Sequence, residues 1–388
     1  MNKLIYLDNA ATTYPKPEIV YTTMDKVLRE ECVNAGRGSY KLARKANTLI
    51  EDTRKLLLEL INSKAKNEKV IFTPSATIAI NQVLRGIEWE KINNVYVSPF
   101  EHNAIMRTLH SLSKLNDFNI HIIPFDNLTF ELKDADLKVM FAKNTPDMIV
   151  LSHISNVTGY ILPIKQCHDL AEKYNPINIV DCAQSLGIVP VDITEELSMC
   201  DFIIFAGHKS LYGPLGVAGF ICLNSNINLK EIITGGTGSD STNLEMPQDG
   251  EKRYEVGSYN IYAIAGLNAA LRWINNTDIK EIFKHEKRLS EILVQELKSI
   301  NGIEVYVPSN LANHIGVVAF NIEGYKASEV GTILDDEFNV CVRTGHHCAP
   351  YVAAFLEGMA KYGTIRASIG YFTNENDIRI FIDSVSEL

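Results

Sequence analysis

The sequence predicts an α/β fold, in which a mostly parallel sheet is flanked by helices and a smaller α+β domain follows at the C-terminus. In the first two thirds of the chain, short apolar runs alternate with segments of helical periodicity. This alternation is typical of a parallel sheet that is covered by helices on both faces. In the last third, two long amphipathic segments come together and shorter strands and helices follow, which indicates a second unit.

The strands of the first unit are predicted from short apolar runs that end at polar or turn residues. They lie at 70–73, 95–98, 120–123, 148–152 and 177–181, near 201–205, and at 218–222, where an antiparallel direction stays open. Helices are predicted over 78–85, about 103–115 and 164–174. In a sheet of this kind, ligands bind beyond the C-terminal ends of the strands.

The second unit begins with two amphipathic helices, which are predicted over 260–274 and 280–300. Strands are predicted near 303–307, 315–322, 339–343 and 363–369, with helices near 327–336 and 375–386. We therefore predict a large domain over 17–258 and a small domain over 259–388. The N-terminal arm, 1–16, is expected to pack against the small domain.

Composition and charge exclude several classes of protein. The 388 residues, of which 46% are hydrophobic, have an ordinary globular composition. A net charge of −10 does not favour nucleic acid or an anionic membrane as a partner. No apolar run reaches the roughly 18 residues of a membrane span, and the N-terminus has no signal-peptide pattern. The seven cysteines lack CxxC spacing, so we expect reduced thiols in the cytoplasm, no disulfide framework and no metal site.

A lysine and a carboxylate lie at the C-terminal ends of two predicted core strands. Lys209 follows a buried apolar run and the turn residues Gly207 and His208, and Asp181 ends the preceding strand. This pair suits pyridoxal 5'-phosphate, because the lysine can form a Schiff base with the aldehyde and the acid can keep the pyridine nitrogen protonated. Taken singly, Lys209 could instead be a surface lysine and Asp181 could cap a turn.

Three loops are candidates for binding a phosphate. The segment Ser75-Ala76-Thr77 precedes a helix whose first amide groups are open, although Ser75 could simply serve as an N-cap. The glycine-rich loops 235–238 and 255–258 carry hydroxyl groups and could form an anion nest. Ordinary glycine turns are an equally good interpretation of these two loops.

Three polar side chains follow predicted strands and could contact the ring of such a cofactor. The imidazole of His102 could stack on the pyridine face, or it could be a structural residue at a helix start. The amide of Gln184 could donate to the phenolic oxygen, or it could lie in solvent. Asn156 could do the same, or it could form an Asx-turn.

A cysteine in a Gly/His-rich loop suggests sulfur chemistry. Cys348 follows His346 and His347, which could supply a positive charge or a proton relay that activates the thiol. Contiguous His-His-Cys is poor geometry for zinc, because neighbouring side chains diverge. Arg366 lies in a strand pattern, where its planar fork could bind an amino-acid carboxylate or form a salt bridge.

Taken together, these motifs resemble the class V aminotransferase superfamily of fold-type I pyridoxal-phosphate enzymes. Within it, the chain is most similar to type II cysteine desulfurases and selenocysteine-lyase-like proteins. The segments that carry the resemblance keep their order over essentially the whole chain. They are Tyr6-Leu-Asp-Asn-Ala-Ala-Thr-Thr13, Glu101-His-Asn103, Ser155-Asn-Val-Thr-Gly159, Asp181-Cys-Ala-Gln184, Gly207-His-Lys209, Gly235-Gly-Thr237, Arg343-Thr-Gly-His-His-Cys-Ala349 and Ile365-Arg-Ala-Ser368.

The resemblance implies a role for each cofactor-binding residue, and a homodimer in which two subunits share each site. Ala206 stands where relatives often have a hydroxyl residue that contacts phosphate, so one contact could be missing. The implied roles are attachment by Lys209, the pyridinium partner Asp181, the stacking ring His102, contacts of Gln184 and Asn156 with the phenolic oxygen, contacts of Ala76, Thr77 and His208 with the phosphate, and contacts of Thr237 and Ser258 from the second subunit.

The same resemblance implies desulfuration of L-cysteine to L-alanine. Arg366, helped by Asn156, would bind the substrate carboxylate, and Cys348 would take the sulfur as a persulfide. The catalytic residues would be Lys209, Cys348 and His102. The short stretch between Cys348 and Arg366 is similar to type II members, which implies slow turnover alone and dependence on a sulfur-acceptor protein.

Three other functions stay open at this point. A selenocysteine lyase would use the same residues on a better leaving chalcogen. Another pyridoxal-phosphate lyase or aminotransferase would leave Cys348 incidental. A sulfur-carrier or scaffold subunit would have a structural cofactor or none.

Overall fold

The thirteen strands and eleven helices of the computed structural model lie within residues 3–36, 38–64, 68–238, 242–248, 250–356 and 363–388, which are the residues that the structure describes. In chain order the strands are β1 (Ile5–Tyr6), β2 (Lys69–Thr73), β3 (Asn94–Val97), β4 (Asn119–Ile122), β5 (Met148–Ser152), β6 (Ile177–Asp181), β7 (Phe202–Ala206), β8 (Ala218–Cys222), β9 (Ile303–Tyr306), β10 (Val317–Ile322), β11 (Val340–Cys341), β12 (Arg343–Gly345) and β13 (Thr364–Ser368). The helices are α1 (Glu18–Glu30), α2 (Lys41–Leu60), α3 (Ala76–Gly86), α4 (Asn103–Leu112), α5 (Asp134–Lys143), α6 (Ile164–Ala171), α7 (Ile261–Thr277), α8 (Ile279–Ser299), α9 (Ala327–Phe338), α10 (Val352–Phe355) and α11 (Glu375–Ser386).

A seven-stranded sheet forms the centre of the molecule, in the order β2-β8-β7-β6-β5-β3-β4. The strands from β3 to β7 pair in parallel, and β8 runs antiparallel between β7 and β2. Every residue of β5 and β7 is buried, as continuous apolar runs in a sheet covered on both faces require. The predicted α/β class and the mostly parallel sheet are therefore confirmed, and the strand at 218–222 is antiparallel.

Alternate residues of each central strand enter two different apolar clusters. In β7, Ile203 and Phe205 pack into the larger cluster together with α7, and Phe202 and Ile204 pack into the other cluster together with α3 and α4. This alternation follows from the two-residue period of a strand. It fixes which face of the sheet each side chain meets and leaves the strand ends free to carry polar groups.

The C-terminal unit contains a four-stranded antiparallel sheet in the order β12-β13-β10-β9. Its core lies between this sheet and α8, α9 and α11, with Phe320 and Phe381 fully buried. The N-terminal arm reaches this unit, because β1 pairs in parallel with β11. Lys3 of the arm also forms an ion pair with Asp377 at 2.7 Å.

Two sequence predictions differ from the structure in detail. The single strand predicted near 339–343 is two strands, β11 and β12, because β11 pairs with the arm whereas β12 pairs with β13. The helix predicted over 164–174 is α-helical to Ala171 and continues as a 3-10 turn to Tyr174, before Asn175 adopts a left-handed conformation. Helices α1, α2, α5 and α10 have no counterpart in the sequence prediction. None of the described helices has the length and apolar character needed to cross a bilayer.

Candidate active site

A cavity at the C-terminal ends of the central strands brings most of the predicted site residues together. A larger cavity of about 900 Å³ lies at the opposite end of β6 and β7, where Asn178 and Asp201 line it. Ligands of parallel sheets bind at the C-terminal ends of strands, so the first cavity is the candidate site. The predicted residues that line it are Ala76, Thr77, His102, Asn156, Asp181, Gln184, His208 and Lys209, and Ala206 lines it too.

The lysine and the aspartate project from neighbouring strand ends. Asp181 is the last residue of β6, and Lys209 follows β7 by three residues. The turn between β7 and Lys209 needs a glycine at position 207. A Cβ atom there would lie only 2.5 Å from the carbonyl oxygen of Val217. Burial lowers the pKa of Lys209, and the negative charge of Asp181 opposes that shift. The two groups therefore interact electrostatically inside the cavity.

Asp181 is a buried carboxyl with one hydrogen bond from the backbone. The N–H of Ala183 donates to its Oδ1 at 2.9 Å. Burial raises the pKa of Asp181, whereas this hydrogen bond and the charge of Lys209 lower it. A cationic ring nitrogen beside Asp181 would favour the carboxylate form, which is the form that the cofactor would need.

The N-terminal arm fixes the backbone of the lysine turn, a contact that sequence reasoning did not find. The N–H of Thr13 donates to the carbonyl of His208 at 3.0 Å, and its Oγ1 donates to the carbonyl of Lys209 at 3.1 Å. The carbonyl of Lys209 also accepts from the N–H of Tyr212 at 2.9 Å. Only the occurrence of Thr13 in the first resembling segment pointed to this region.

His102 is neutral and lies at the start of α4. Its Nδ1 accepts a hydrogen bond from the N–H of Ala104 at 3.0 Å, so the proton of the neutral ring is on Nε2. Burial, together with the positive charges of Lys209, Arg343 and others, lowers the pKa of His102 to about 4. The N-cap function weighed from the sequence is therefore present, and the ring also lines the cavity.

Glu101 is a buried carboxyl next to His102 that the sequence analysis gave no role. Its oxygens accept from Ser98 Oγ at 2.5 Å, from the N–H of Ser152 at 3.0 Å and from Ser152 Oγ at 2.7 Å. Burial raises the pKa of Glu101 to about 7, these hydrogen bonds oppose the shift, and Asp181 adds to it. Glu101 thus ties the loop after β3 to the end of β5.

The start of α3 and His208 offer hydrogen-bond donors at one side of the cavity. Ser75 caps α3, because its Oγ accepts from the N–H of Ile78 at 3.3 Å. Ala76 and Thr77 belong to the first helical turn, whose amide groups have no acceptor within a helix. Nδ1 of His208 is buried and has no hydrogen-bond partner among the residues that the structure describes. These groups fit the phosphate of the predicted cofactor.

Gln184 and Asn156 line the cavity but already hold backbone carbonyls. Nε2 of Gln184 donates to the carbonyl of Ala10 at 2.8 Å, and Nδ2 of Asn156 donates to the carbonyl of His347 at 2.7 Å. Each amide has a second N–H that is available for another acceptor. Both residues therefore connect the cavity to segments that are distant in sequence.

The loop that carries Cys348 is held in a strained conformation. His347 and Cys348 have φ angles of 50° and 58°, which non-glycine residues rarely adopt. The carbonyl of Cys348 accepts from the N–H of Asn103 at 2.6 Å, and Nε2 of His347 lies 2.9 Å from Thr364 Oγ1. These contacts fix the loop against the start of α4 and against β13.

Arg343, rather than a histidine, places a positive charge beside the thiol. Its Nη2 lies 3.8 Å from Sγ of Cys348. Burial lowers the pKa of His347 to about 3, so that ring is neutral, and His346 is exposed. The positive charge that was expected from the two histidines is therefore found on Arg343 in the neighbouring strand β12.

Arg366 is buried and partly paired. Its Nη2 donates to Asp8 Oδ1 at 2.6 Å, and its Nη1 donates to the carbonyl of Asn156 at 2.9 Å, whereas Nε has no partner within the described part of the chain. In the sheet Arg366 lies opposite Arg343. Both arginines and the Cys348 thiol act on the pKa of Lys209, so the amine, the thiol and two guanidinium groups share one electrostatic environment.

Thr237 and Ser258 do not line this cavity. Their loops are joined, because the N–H of Gly257 donates to the carbonyl of Gly236 at 2.8 Å. Ser258 is exposed. Residues 357–362, which belong to the short stretch after Cys348, lie outside the described residues.

The loop that carries Ser258 is anchored by a buried carboxylate. Glu255 accepts from the N–H of Phe72 at 2.7 Å and pairs with Arg54 at 2.6 Å. Tyr259 donates to the same carboxylate at 2.5 Å. Because Phe72 belongs to β2, whose end leads into α3, Glu255 ties the exposed loop to the strand that precedes α3 in its own chain.

The chain is similar to a family of known proteins over nearly its full length. The family model described as "Aminotransferase class-V" matches residues 5–381. A "Probable cysteine desulfurase" of Methanothermobacter thermautotrophicus is 30% identical over 99% of this chain and 94% of its own. A "Cysteine desulfurase" of Yersinia pseudotuberculosis is 30% identical over 97% of this chain and 91% of its own.

Solved structures give the same result for the fold. The apo structure of a cysteine desulfurase from Thermococcus onnurineus NA1 superposes with a TM-score of 0.90 at 26% identity, covering 99% of this chain and 94% of that chain. The cysteine desulfurase CsdA from Escherichia coli superposes with a TM-score of 0.85 at 23% identity, covering the same shares of the two chains. The expected fold-type I architecture is therefore confirmed.

Proposed function

Because the chain belongs to the class-V aminotransferase family, we propose that it is a pyridoxal 5'-phosphate-dependent cysteine desulfurase. It takes the sulfur of L-cysteine onto Cys348 as a persulfide and releases L-alanine. The observation that carries this proposal is the buried amine of Lys209, which shares a cavity with Asp181 and whose pKa is affected by the charges of both Asp181 and Cys348. The names of the relatives support the same activity.

The cofactor fits the donors that line the cavity. Lys209 would hold its aldehyde carbon, Asp181 its ring nitrogen and His102 one ring face. Gln184 and Asn156 would donate to the phenolic oxygen through their second N–H groups. Ala76, Thr77 and the unpartnered Nδ1 of His208 would bind the phosphate. The chemistry that the group supplies when bound is an electron sink for the charge left on Cα after its proton is removed.

Two arginines suit the carboxylate of an amino acid. Arg366 has a buried Nε without a partner, and Arg343 lies opposite it across the two strands. A planar guanidinium group binds a carboxylate through two parallel hydrogen bonds. Asn156, whose carbonyl already orients Arg366, stands beside this position. Binding there would place the α-proton of the substrate near Nζ of Lys209, whose pKa burial lowers so that the amine can accept it.

Cys348 acts as the nucleophile toward the substrate sulfur. Its Sγ forms a bond to that sulfur while the bond from the sulfur to Cβ breaks. The electron pair of the broken bond stays on the carbon side, which takes up protons and leaves as alanine. Arg343 would stabilise the negative charge on the sulfur during the attack, because its Nη2 lies 3.8 Å from Sγ.

We also propose that the molecule is a homodimer in which Thr237 and Ser258 reach the phosphate in the partner subunit. Large apolar side chains are exposed along α1, the start of α2 and the adjoining α7, among them Ile19, Leu28 and Tyr40. A second copy of the chain would cover this face. The persulfide would pass to a sulfur-acceptor protein, and seven unpaired cysteines fit a reducing cytoplasm.

The test is alanine release from L-cysteine by the purified protein supplied with pyridoxal phosphate and a reductant. We expect equimolar alanine and sulfide, and loss of both in Lys209→Ala. Lys165→Ala, which removes an exposed lysine paired with Asp169, serves as the control and should keep full activity. Alanine release that is unchanged in Lys209→Ala would contradict the proposal. Faster turnover of selenocysteine than of cysteine would instead favour a selenocysteine lyase.

A further inference from the structure

The lysine turn has a second support on the side away from the arm, and this support rests on a buried glutamate in α8. Building on the proposed function, we infer that Glu286 is a positioning residue for the reaction. Acting through Tyr212 as a neutral acid, it holds the turn that carries Lys209 at a fixed position relative to the strand that carries Arg366. The relation between the proton-accepting amine and the carboxylate-binding guanidinium then depends on Glu286.

Tyr212 connects the lysine turn to both sides of this contact. Its N–H donates to the carbonyl of Lys209 at 2.9 Å, and its φ angle is 56°, in the left-handed region. Its hydroxyl donates to Oε1 of Glu286 at 2.5 Å and accepts from the N–H of Tyr371 at 2.9 Å. Tyr371 follows β13, the strand of Arg366. Tyr212 therefore joins the lysine turn through its backbone N–H, and it joins α8 and the end of the arginine strand through its hydroxyl.

Glu286 also lines a cavity that is adjacent to the proposed cofactor cavity. Its second oxygen, Oε2, is buried without a hydrogen-bond partner among the described residues, and the side chain lines a small cavity of about 20 Å³. Ile154 and Gln184 line both this small cavity and the one that contains Lys209. A change at Glu286 would therefore reach the site through Gln184 as well as through Tyr212.

No cation among the described residues pairs with Glu286. Of its neighbours on α8, Lys287 donates to the carbonyl of His314, and Nε2 of His285 lies 2.9 Å from the carbonyl of Thr373. From the other side, Nε2 of His314 lies 2.9 Å from the carbonyl of Val317. The phenol of Tyr212 is the titratable group that touches the carboxyl directly.

Without a cation, burial raises the pKa of Glu286 to about 8, and the hydrogen bond from Tyr212 opposes the shift. At neutral pH the group is therefore a neutral acid that accepts from Tyr212 without a buried charge. Ionisation near pH 8 would put an unpaired negative charge between the lysine turn and the arginine strand. The position of Lys209 relative to Arg366 then becomes sensitive to pH on the alkaline side.

The test uses Glu286→Gln, which keeps the shape and the acceptor oxygen but cannot ionise. At pH 7 its kcat/KM for cysteine should lie within about twofold of the wild type, because Tyr212 keeps its acceptor. Above pH 8 the ratio of wild-type to variant kcat/KM should fall. A ratio that stays constant from pH 6 to pH 9.5 would overturn the inference.

Thermal unfolding gives a readout that needs no activity. An acid whose pKa is raised in the folded state keeps a proton that the unfolded chain has lost. The wild-type Tm should therefore fall relative to that of Glu286→Gln as the pH rises from about 5 to about 8. A Tm difference that does not change over this range would contradict a neutral Glu286, whether or not the protein desulfurates cysteine.

Tyr212→Phe is the second variant, and it removes the hydroxyl without changing the packing. We expect KM for cysteine to rise about tenfold, the effect of one lost hydrogen bond, with the affinity for pyridoxal phosphate unchanged within about twofold. The pH dependence that Glu286 confers on kcat/KM should also be lost. An equal loss of cofactor affinity and kcat/KM would indicate general disruption and would overturn the positioning role.

Discussion

Arg343 and Cys348 are five residues apart, and Nη2 of the arginine lies 3.8 Å from the sulfur. Cys348 itself has a left-handed conformation, with φ at 58°. A guanidinium group at this distance would stabilise negative charge on the sulfur as it attacks.

Arg343→Gln should slow the alkylation of Cys348 by iodoacetamide at pH 7 by about tenfold, because a hydrogen bond to a charged group is lost. Alanine release should fall by a similar factor. The matched control is Arg107→Gln on the exposed side of α4, which should change neither rate. Equal alkylation rates in Arg343→Gln and the wild type would show that the guanidinium does not activate the thiol.

Asp181→Asn should reduce alanine release by about 100-fold, because the neutral amide cannot stabilise a protonated pyridine nitrogen. Asp201→Asn is the control at the other end of the same sheet, where Asp201 accepts from the N–H of Asn178 at 2.8 Å. Alanine release per folded molecule of Asp201→Asn should equal that of the wild type. Similar losses in the two variants would mean that Asp181 acts only on the stability of the sheet.

The buried imidazole of His314 should make the folded protein less stable at acidic pH. The imidazole is fully buried, and burial lowers its pKa to about 4. A base with a lowered folded-state pKa stabilises the protein above the unfolded-state pKa, and this contribution is lost as the pH falls from about 6.5 to about 4. The loss at full titration is about 3 kcal/mol.

In His314→Gln, the Tm difference from the wild type should therefore shrink as the pH falls through this range. His110→Gln, at an exposed position, should run parallel to the wild type at every pH. The measurement is thermal unfolding by circular dichroism between pH 4 and pH 8. A constant difference for His314→Gln would mean that the buried ring titrates as it does in the unfolded chain.

Glu255 connects the exposed loop of Ser258 to β2, so its loss should loosen cofactor binding in the proposed dimer. Glu255→Gln should raise the rate of cofactor release, because the pair with buried Arg54 is broken. Glu51→Gln removes the exposed second partner of Arg54, at 3.6 Å, and should leave that rate unchanged. Release at the wild-type rate from Glu255→Gln would argue against a role of this loop at the phosphate.

The sequence predicted the parts of the fold and site that depend on local pattern. Lys209 and Asp181 were found because both follow buried apolar runs, and parallel strands place their ends at one edge of a sheet. The two strands β11 and β12 were not separated, because only the pairing of the arm with β11 distinguishes them.

The contacts that complete the site join residues that are far apart in the chain. Arg366 pairs with Asp8 across 358 positions, and Asn156 holds His347 across 191. Periodicity and spacing carry no information about such pairs. The contacts that Thr13, Glu101, Arg343 and Glu286 make became visible only from their positions in the folded chain.

The central claim is that sulfur from cysteine is carried on Cys348 after chemistry that depends on Lys209. Peptide mass analysis of the protein after brief exposure to L-cysteine without reductant tests it most directly. We predict one added sulfur on the peptide that contains Cys348, and none in Lys209→Ala. Alanine release with the Cys348 peptide unmodified, or with the sulfur on another cysteine, would contradict the account.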